Sequence, residues 1–353
     1  MDYFENLNKQ VKEYFHILCP NDFPYWLNDY INTKPLQRIG KISLSCGTDY
    51  SGIFDIKFWY SNLDHSVGVA LIIWHFTHDK KMTLSGLFHD IATPAFKHCI
   101  DFMNKDYETQ ESTEERTLEI ITGSKEIMDL LQRDNILVSQ IANYKIYPIA
   151  DNKSPKLSAD RLEYNFSSGL SFYPVWDLKN IKRTYENITI LKNEDNMDEL
   201  AFKDEEICST YILTVSKLWP MWICDEDKTV MQFIADMCLS ANKKGLLTID
   251  DLYLKSEKQI VNIFANCPDT YLKNAWHNLT KAKKVYSSDT YVLDKYCVKI
   301  KPKKRYLNPL VCKNNQIIRI YDANLNVKKA IDEYLKIDEN YHYTYYDFDF
   351  KPY

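Results

Sequence analysis

The sequence predicts a mainly all-α protein with a small α+β segment at its C-terminal end. Apolar residues recur at helical spacing over most of the 353 residues; in residues 67–76, for example, Val67, Leu71 and Trp74 share one face. Alternation of apolar and polar residues, which is typical of strands, appears only from about residue 295. We therefore predict a helical domain over residues 1–285 and an α+β appendage over residues 286–353.

The first half of the chain contains most of the predicted helices. Pro35 favours a helix start near Leu36, and Thr93-Pro94 ends a helix just after residue 91. A glycine-containing loop over residues 43–63 leads into the helix of residues 67–76. The predicted helices are residues 4–18, 36–42, 67–76, 84–91, 95–103, 117–132, 135–150 and 156–166.

The second half mixes helices with short strands. Residues 185–202 are acidic and indicate a loop with a short hairpin. Residues 204–245 show helical periodicity that is broken at Pro220 and capped at Gly245. The remaining predicted elements are helices over residues 246–264 and 326–336 and strands over residues 295–311 and 315–322.

Composition limits the classes of function. A net charge of −5 gives no overall basic surface for nucleic acid, so nucleic-acid binding is not expected. The nine cysteines form no CxxC pair, and the start of the chain is unlike a signal peptide, so we expect reduced thiols in a cytoplasmic protein. The longest uncharged apolar run, residues 67–76, is too short to cross a membrane.

Residues 63–98 are the predicted location of the functional site, because they hold five of the eight histidines of the chain. His89 and Asp90 are neighbours in an apolar stretch of the sequence. Burying an imidazole beside a carboxylate costs several kcal/mol unless each group has a hydrogen-bond or ion-pair partner or binds a metal. His65 and Asp160 lie in similar surroundings. Two histidines and two aspartates suit Mn, Mg, Fe, Ni or Zn. The alternative is a set of hydrogen-bonded polar groups in the core.

Four sequence motifs contain or flank these residues, in the order LQRIGKISLSCGTDY, LDHSVGVA, LFHDIATPAFKH and ADRLEYNF. The sequence here resembles the HD-domain metal-dependent phosphohydrolases, in the branch of dGTPases and SAM-and-HD-domain dNTP triphosphohydrolases. The resemblance covers about residues 35–170, the HD core, and continues more weakly to about residue 285. It implies a helical HD-domain core and one divalent metal ion. The implied ligands are His65, His89, Asp90 and Asp160.

The resemblance also implies roles for residues around the metal. His98 would contact phosphate, and Glu114 or Glu115, in a loop that closes over substrate, would serve as acid or base beside Asp90. The alternative for that loop is a solvated segment with a helix-capping box at Ser112. The implied substrate-binding residues are Arg38, Ser45, Asn62, Arg161 and Tyr164.

The chain departs from the family pattern at several positions. Thr93 replaces a catalytic histidine, and a second family histidine falls near Thr113. Asn62 replaces an arginine, and Ser45 replaces a glutamine that reads the sugar. Because the metal ligands remain, we expect a hydrolase of (deoxy)nucleoside triphosphates that uses a metal-activated water and forms a homo-oligomer, as relatives do. The alternatives are a 5′-nucleotidase or another phosphomonoesterase or phosphodiesterase, and a catalytically degenerate nucleotide-binding regulatory protein.

Overall fold

The computed structural model describes residues 2–107, 116–314, 316–337 and 342–353. The described chain is largely helical with two small sheets, which confirms the mainly helical character of the predicted fold; the HD-domain core and the C-terminal α+β appendage stay predictions. Glu114, Glu115 and the predicted capping box at Ser112 lie outside the described residues. All nine cysteines are free thiols. Among the described helices, none combines the length and apolar character needed to span a membrane.

The first nine helices build the region around residues 63–98. They are α1 (Lys9–Leu18), α2 (Leu27–Ile31), α3 (Lys34–Ile39), α4 (Asn62–Thr77), α5 (Lys80–Phe88), α6 (Cys99–Met103), α7 (Thr117–Gly123), α8 (Lys125–Arg133) and α9 (Ala159–Ser171). Helix α4 is the centre of this region. It is buried from Asn62 to Ile73 and contacts α1, α3, α5 and α9. A helix that is apolar on all sides is expected in such a position.

The later elements alternate helices and short strands. The helices are α10 (Leu178–Tyr185), α11 (Glu205–Val215), α12 (Asp225–Lys243), α13 (Ile249–Leu254), α14 (Glu257–Asn266), α15 (Thr270–Lys281), α16 (Ile320–Ala323) and α17 (Leu325–Lys336). The strands are β1 (Ile188–Lys192), β2 (Asp198–Phe202), β3 (Tyr286–Ser288), β4 (Tyr296–Val298), β5 (Leu310–Lys313), β6 (Gln316–Arg319) and β7 (Tyr343–Tyr346).

Several predicted helices differ from the observed ones. The helix predicted over residues 117–132 is divided at Ser124 into α7 and α8, and the helix predicted over residues 95–103 begins only at Cys99. Residues 135–150 form only short 3-10 turns, because the Asn143 side chain accepts the backbone N–H of Lys145 and Pro148 cannot continue a helix. The helix predicted over residues 84–91 ends at Phe88. His89 and Asp90 therefore lie in the tight turn that follows α5, ahead of Pro94, which disfavours helix in the residue before it.

The strands form two sheets. One has the order β1-β2-β5-β6, in which the predicted β1-β2 hairpin pairs antiparallel and β2 pairs parallel with β5. The other has the order β3-β7-β4 and includes a strand in the aromatic tail that the sequence analysis did not predict. The strand predicted over residues 295–311 is interrupted after β4, where Pro302 and Pro309 lack the N–H that a ladder needs.

Buried apolar residues fall into two cores. The first core joins α1–α5 and α7–α11 with the four-stranded sheet, α16 and α17, and includes Phe88 and Ile91. The second joins α6 and α12–α15 with the three-stranded sheet, and includes Ala95 and Phe96. The segment after residue 286 contributes to both cores, and the domain boundary predicted there stays a prediction.

Candidate metal centre

His65 lies in the first turn of α4. Ser61 caps this helix, accepting the N–H of Asp64, whose carboxylate accepts the N–H of Ser61 in return. This reciprocal cap fixes the start of the helix and with it the direction of His65, which is only 3% exposed. The Nδ1 of His65 hydrogen-bonds the carboxylate of Glu163. The Nε2 atom is therefore the nitrogen left for a ligand.

His89 reaches the same point from the turn after α5. Its Nδ1 donates to the carbonyl of Gly86 at 2.6 Å, which leaves the Nε2 lone pair free to bind a metal. Gly86 allows this close approach, because a Cβ at this position would lie 2.4 Å from Cδ1 of Ile73 on α4 and would force that side chain to shift. The close contact of α4 and α5 brings the Nε2 atoms of His65 and His89 within 3.2 Å of each other.

Asp160 completes the group from the first turn of α9, which Ser158 caps. Its Oδ1 lies 3.2 Å from Nε2 of His65 and 3.8 Å from Nε2 of His89. Within the described residues, these three side chains form a group whose ligand atoms lie within 4.8 Å of one another. The Oδ2 of Asp90 is close by, 3.9 Å and 3.7 Å from the same two nitrogens.

These donors fit a divalent metal ion. Nitrogen and oxygen ligands bind such ions at about 2.0–2.2 Å, which places neighbouring ligand atoms about 3–3.5 Å apart. The separations of 3.2–3.9 Å are close to that range. Both histidines also have their Nδ1 atoms held by an oxygen acceptor, as is usual for metal-binding imidazoles. His65, His89 and Asp160, with Asp90 beside them, would hold the ion.

Glu163 is the fully buried residue behind His65. Its carboxylate also accepts hydrogen bonds from Tyr60 at 2.6 Å and Ser167 at 3.1 Å. In the metal-free site, burial lowers the pKa of His65, but the charge of Glu163 raises it, and the resulting pKa is about 9; a metal that binds Nε2 would therefore displace a proton. Glu163 was not among the predicted site residues, although its place three residues after Asp160 puts it near the same helix face.

Lys97 is a second residue that the sequence analysis did not single out. It is 7% exposed, and its Nζ donates to Asp90 Oδ2 at 3.0 Å and to Asn62 Oδ1 at 2.5 Å. Burial lowers the pKa of Lys97 but the carboxylate of Asp90 raises it, and the net shift is upward. Burial alone would raise the pKa of Asp90, but the Lys97 ammonium and the histidines hold it well below its usual range.

A left-handed turn delivers Lys97 to the site. Phe96 and Lys97 have φ values of 65° and 44°, which are uncommon for residues with side chains. The carboxylate of Glu257 accepts the N–H of Phe96 at 3.3 Å, and so holds this turn from α14. Lys97 was not predicted as a site residue, because no short-range pattern in the sequence indicates a left-handed turn here.

The predicted substrate residues Arg161 and Tyr164 lie on α9 with Asp160. The Arg161 guanidinium is held by the loop before α9: it donates to Asn152 at 2.8 Å and forms an ion pair of 3.1 Å with Asp151. Tyr164 is half-buried and packs edge-on against Trp222. Asp160 joins the two histidines in the candidate ligand group, and the substrate roles of Arg161 and Tyr164 stay predictions.

The remaining predicted residues surround the turn that carries His89. Arg38 donates to the carbonyls of Ile91 and Thr93 at 3.1 and 2.7 Å, which fixes this turn. Asn62 donates to the carbonyl of Asp90 at 3.4 Å. His98 bonds Asp101 through Nδ1 at 2.8 Å, and burial lowers the pKa of its imidazole.

Ser45, the last predicted substrate residue, lies in the loop before α4. Its hydroxyl hydrogen-bonds Ser43 at 2.7 Å and donates to the carboxylate of Asp49. Its predicted role in reading a sugar stays a prediction.

Comparisons with known proteins agree with this architecture. No protein-family model matches the chain. An uncharacterized protein of Bacillus subtilis (strain 168), YdhJ, is 20% identical over 313 residues, which is 86% of this chain and 89% of that protein. The crystal structure of a phosphohydrolase from Bacteroides thetaiotaomicron matches 93% of this chain and 95% of its own, with a TM-score of 0.59 and 14% identity. At this identity the likeness shows a common fold.

Proposed function

We propose that this chain is a metal-dependent phosphohydrolase that acts on nucleotides, with (deoxy)nucleoside triphosphates as the first expected substrates. The observation that carries the proposal is the convergence of His65, His89 and Asp160, each from a different element, on a point where Asp90 adds a further carboxylate. The fold shared with a phosphohydrolase supports the reaction class. The four sequence motifs support a nucleotide substrate, because their order resembles that of the HD-domain dNTP triphosphohydrolases.

The metal would supply a water of lowered pKa and a Lewis acid for the phosphate group. The chain's own residues orient these parts. Glu163 and the carbonyl of Gly86 hold the two imidazoles, so that little reorganisation is needed when a ligand binds. Lys97 and the two histidines favour the ionised form of Asp90, and an ionised carboxylate is the form that binds metal.

Product analysis tests the proposal. The protein is stripped with EDTA, reloaded with Mn²⁺ or Mg²⁺, and incubated with dNTPs, NTPs and dNMPs. Release of nucleoside and triphosphate from dNTPs is the expected result. His89→Ala and Asp90→Ala should lose this turnover, while His277→Ala, which changes an exposed histidine, should keep it. Equal turnover in His89→Ala and the unmodified protein would overturn the proposal.

A second candidate is a 5′-nucleotidase or another phosphomonoesterase. The observation that favours it is the position of Arg161, whose guanidinium is already held by Asp151 and Asn152 rather than directed at a polyphosphate. Release of single phosphate from monophosphates only would select this candidate. Bound metal without turnover of any of these substrates would select a nucleotide-binding regulatory protein instead. Assembly as a homo-oligomer stays part of the proposal.

A further inference from the structure

Lys97 is a deeply buried cation beside the candidate metal centre. Its side chain is 9% exposed, and its Nζ lies 3.0 Å from Asp90 Oδ2. The same carboxylate oxygen is 3.9 Å from Nε2 of His65 and 3.7 Å from Nε2 of His89. The ammonium therefore adjoins the point on which the histidines converge, where a phosphate group on the metal would lie.

The ammonium group of Lys97 uses two of its N–H donors in hydrogen bonds to the described residues. An ammonium group carries three N–H donors. Among the residues that the structure describes, Nζ has two hydrogen-bond acceptors, Asp90 Oδ2 and Asn62 Oδ1. A buried charged donor without an acceptor is costly, so an anionic oxygen at this place would be bound favourably.

The surroundings hold this donor in place. Asn62 lies at the start of the buried helix α4, and its own amide donates to the carbonyl of Asp90. On the other side, Glu257 holds the left-handed turn at Phe96 from which the lysine side chain extends. Lys97 is thus fixed from both cores, and such pre-organisation lowers the cost of binding an anion.

We propose that Lys97 is a substrate-binding residue, which donates its third N–H to a non-bridging oxygen of the phosphate group at the metal. This inference rests on the proposed function for the identity of the substrate as a phosphate compound. Asn62, which accepts a hydrogen bond from the Lys97 ammonium, then acts as a positioning residue for the lysine.

The competing explanation is that Lys97 only neutralises Asp90. In that case its loss should destabilise the metal-free protein, and should leave the phosphate affinity of the metal-loaded protein unchanged. Phosphate affinity at saturating metal therefore separates the two explanations, because a lysine with a purely structural role would not alter it.

Calorimetric titration of the Mn²⁺-loaded protein with inorganic phosphate tests the inference. Lys97→Met is expected to weaken phosphate binding by about 10- to 100-fold, the effect of one charge-assisted hydrogen bond. Asn62→Asp is expected to weaken it as well, since a carboxylate at this place competes for the same ammonium, and it serves if Lys97→Met does not fold. Lys179→Met, at an exposed lysine on α10, should bind phosphate normally.

The outcomes separate this inference from the proposed function. Unchanged phosphate affinity in Lys97→Met, or no phosphate binding by the unmodified metal-loaded protein, overturns the role of Lys97, whether or not nucleotides are hydrolysed. Lys97-dependent phosphate binding without hydrolysis of any nucleotide supports the role of Lys97 and overturns the proposed function. Titration of Mn²⁺ into Lys97→Met, done first, confirms that the variant is metal-loaded.

Discussion

Glu163 accepts a hydrogen bond from Nδ1 of His65, and neither side chain is more than 3% exposed. The two residues lie on different helices, α9 and α4, and Tyr60 donates a further hydrogen bond to the carboxylate. Because α9 also carries Asp160, one helix supplies both a candidate ligand and the anion that orients another ligand. The position of α9 against α4 therefore determines the geometry of the candidate metal centre.

Replacing Glu163 by Gln is expected to weaken metal binding by about 10- to 100-fold, since an imidazole without its anionic partner is a poorer ligand. Titration with Mn²⁺ at constant pH measures the change. Glu206→Gln, at an exposed glutamate on α11, is the matched control. Equal metal affinity in both variants would show that the His65–Glu163 hydrogen bond has no part in holding the metal.

Gly68→Ala should destabilise the protein by about 1–3 kcal/mol, because the new methyl group has no room. A Cβ at Gly68 would lie 2.7 Å from Glu163 Oε1 and 2.8 Å from its Cγ. Gly123→Ala is the control: a Cβ there meets nothing within 4 Å at the end of α7, so stability should stay the same or rise by up to about 1 kcal/mol. Urea unfolding compares the two, and a similar free energy of unfolding in both contradicts the close packing of α4 on α9.

Removal of metal should lower the melting temperature. A metal that binds only the folded state adds about 2.7 kcal/mol of stability at a free concentration 100-fold above its Kd. Thermal unfolding with Mn²⁺ and with EDTA measures this difference. The difference should disappear in His89→Ala and persist in His277→Ala. An EDTA-insensitive melting temperature in the unmodified, metal-loaded protein would falsify the metal centre.

Glu257 predicts a loss of stability at rising pH. Burial, with a contribution from Asp49, raises its pKa to about 8, against 4.5 for the free side chain. Because the folded state binds the proton more tightly, its contribution to stability is present below pH 4.5 and is lost as the pH rises to about 8. In Glu257→Gln the free energy of unfolding should therefore fall less between pH 5 and pH 8 than in the unmodified protein. A fall of the same size in both proteins contradicts the raised pKa.

The helical fold was predictable wherever a local pattern is strong. The periodicity of α4 and the hairpin of β1 and β2 were visible in the sequence, because each depends on residues close together in the chain. The pairing of β2 with β5 was not predicted, since it joins residues about a hundred positions apart and leaves no periodic trace. The strand β7 was missed because its tyrosines, in an acidic tail, show no apolar alternation.

The candidate site was predictable only in part, for the same reason. His65, His89 and Asp160 come together in the structure, as predicted. This could be predicted because each residue lies in a sequence motif whose order and spacing are distinctive. Lys97 depends on a left-handed turn that a carboxylate from α14 holds in place. Contacts of this kind arise from tertiary packing, and local sequence motifs do not predict them. Glu114 and Glu115 stay predictions.

The segment from His89 to Cys99 begins on one hydrophobic core and ends on the other. The histidines and Asp160 are anchored in the first core, whereas the backbone that carries Lys97 is anchored in the second. The two parts of the site therefore depend on different packing. A substitution that repacks the second core would shift the backbone of Lys97, while the histidines and Asp160 keep their support in the first core.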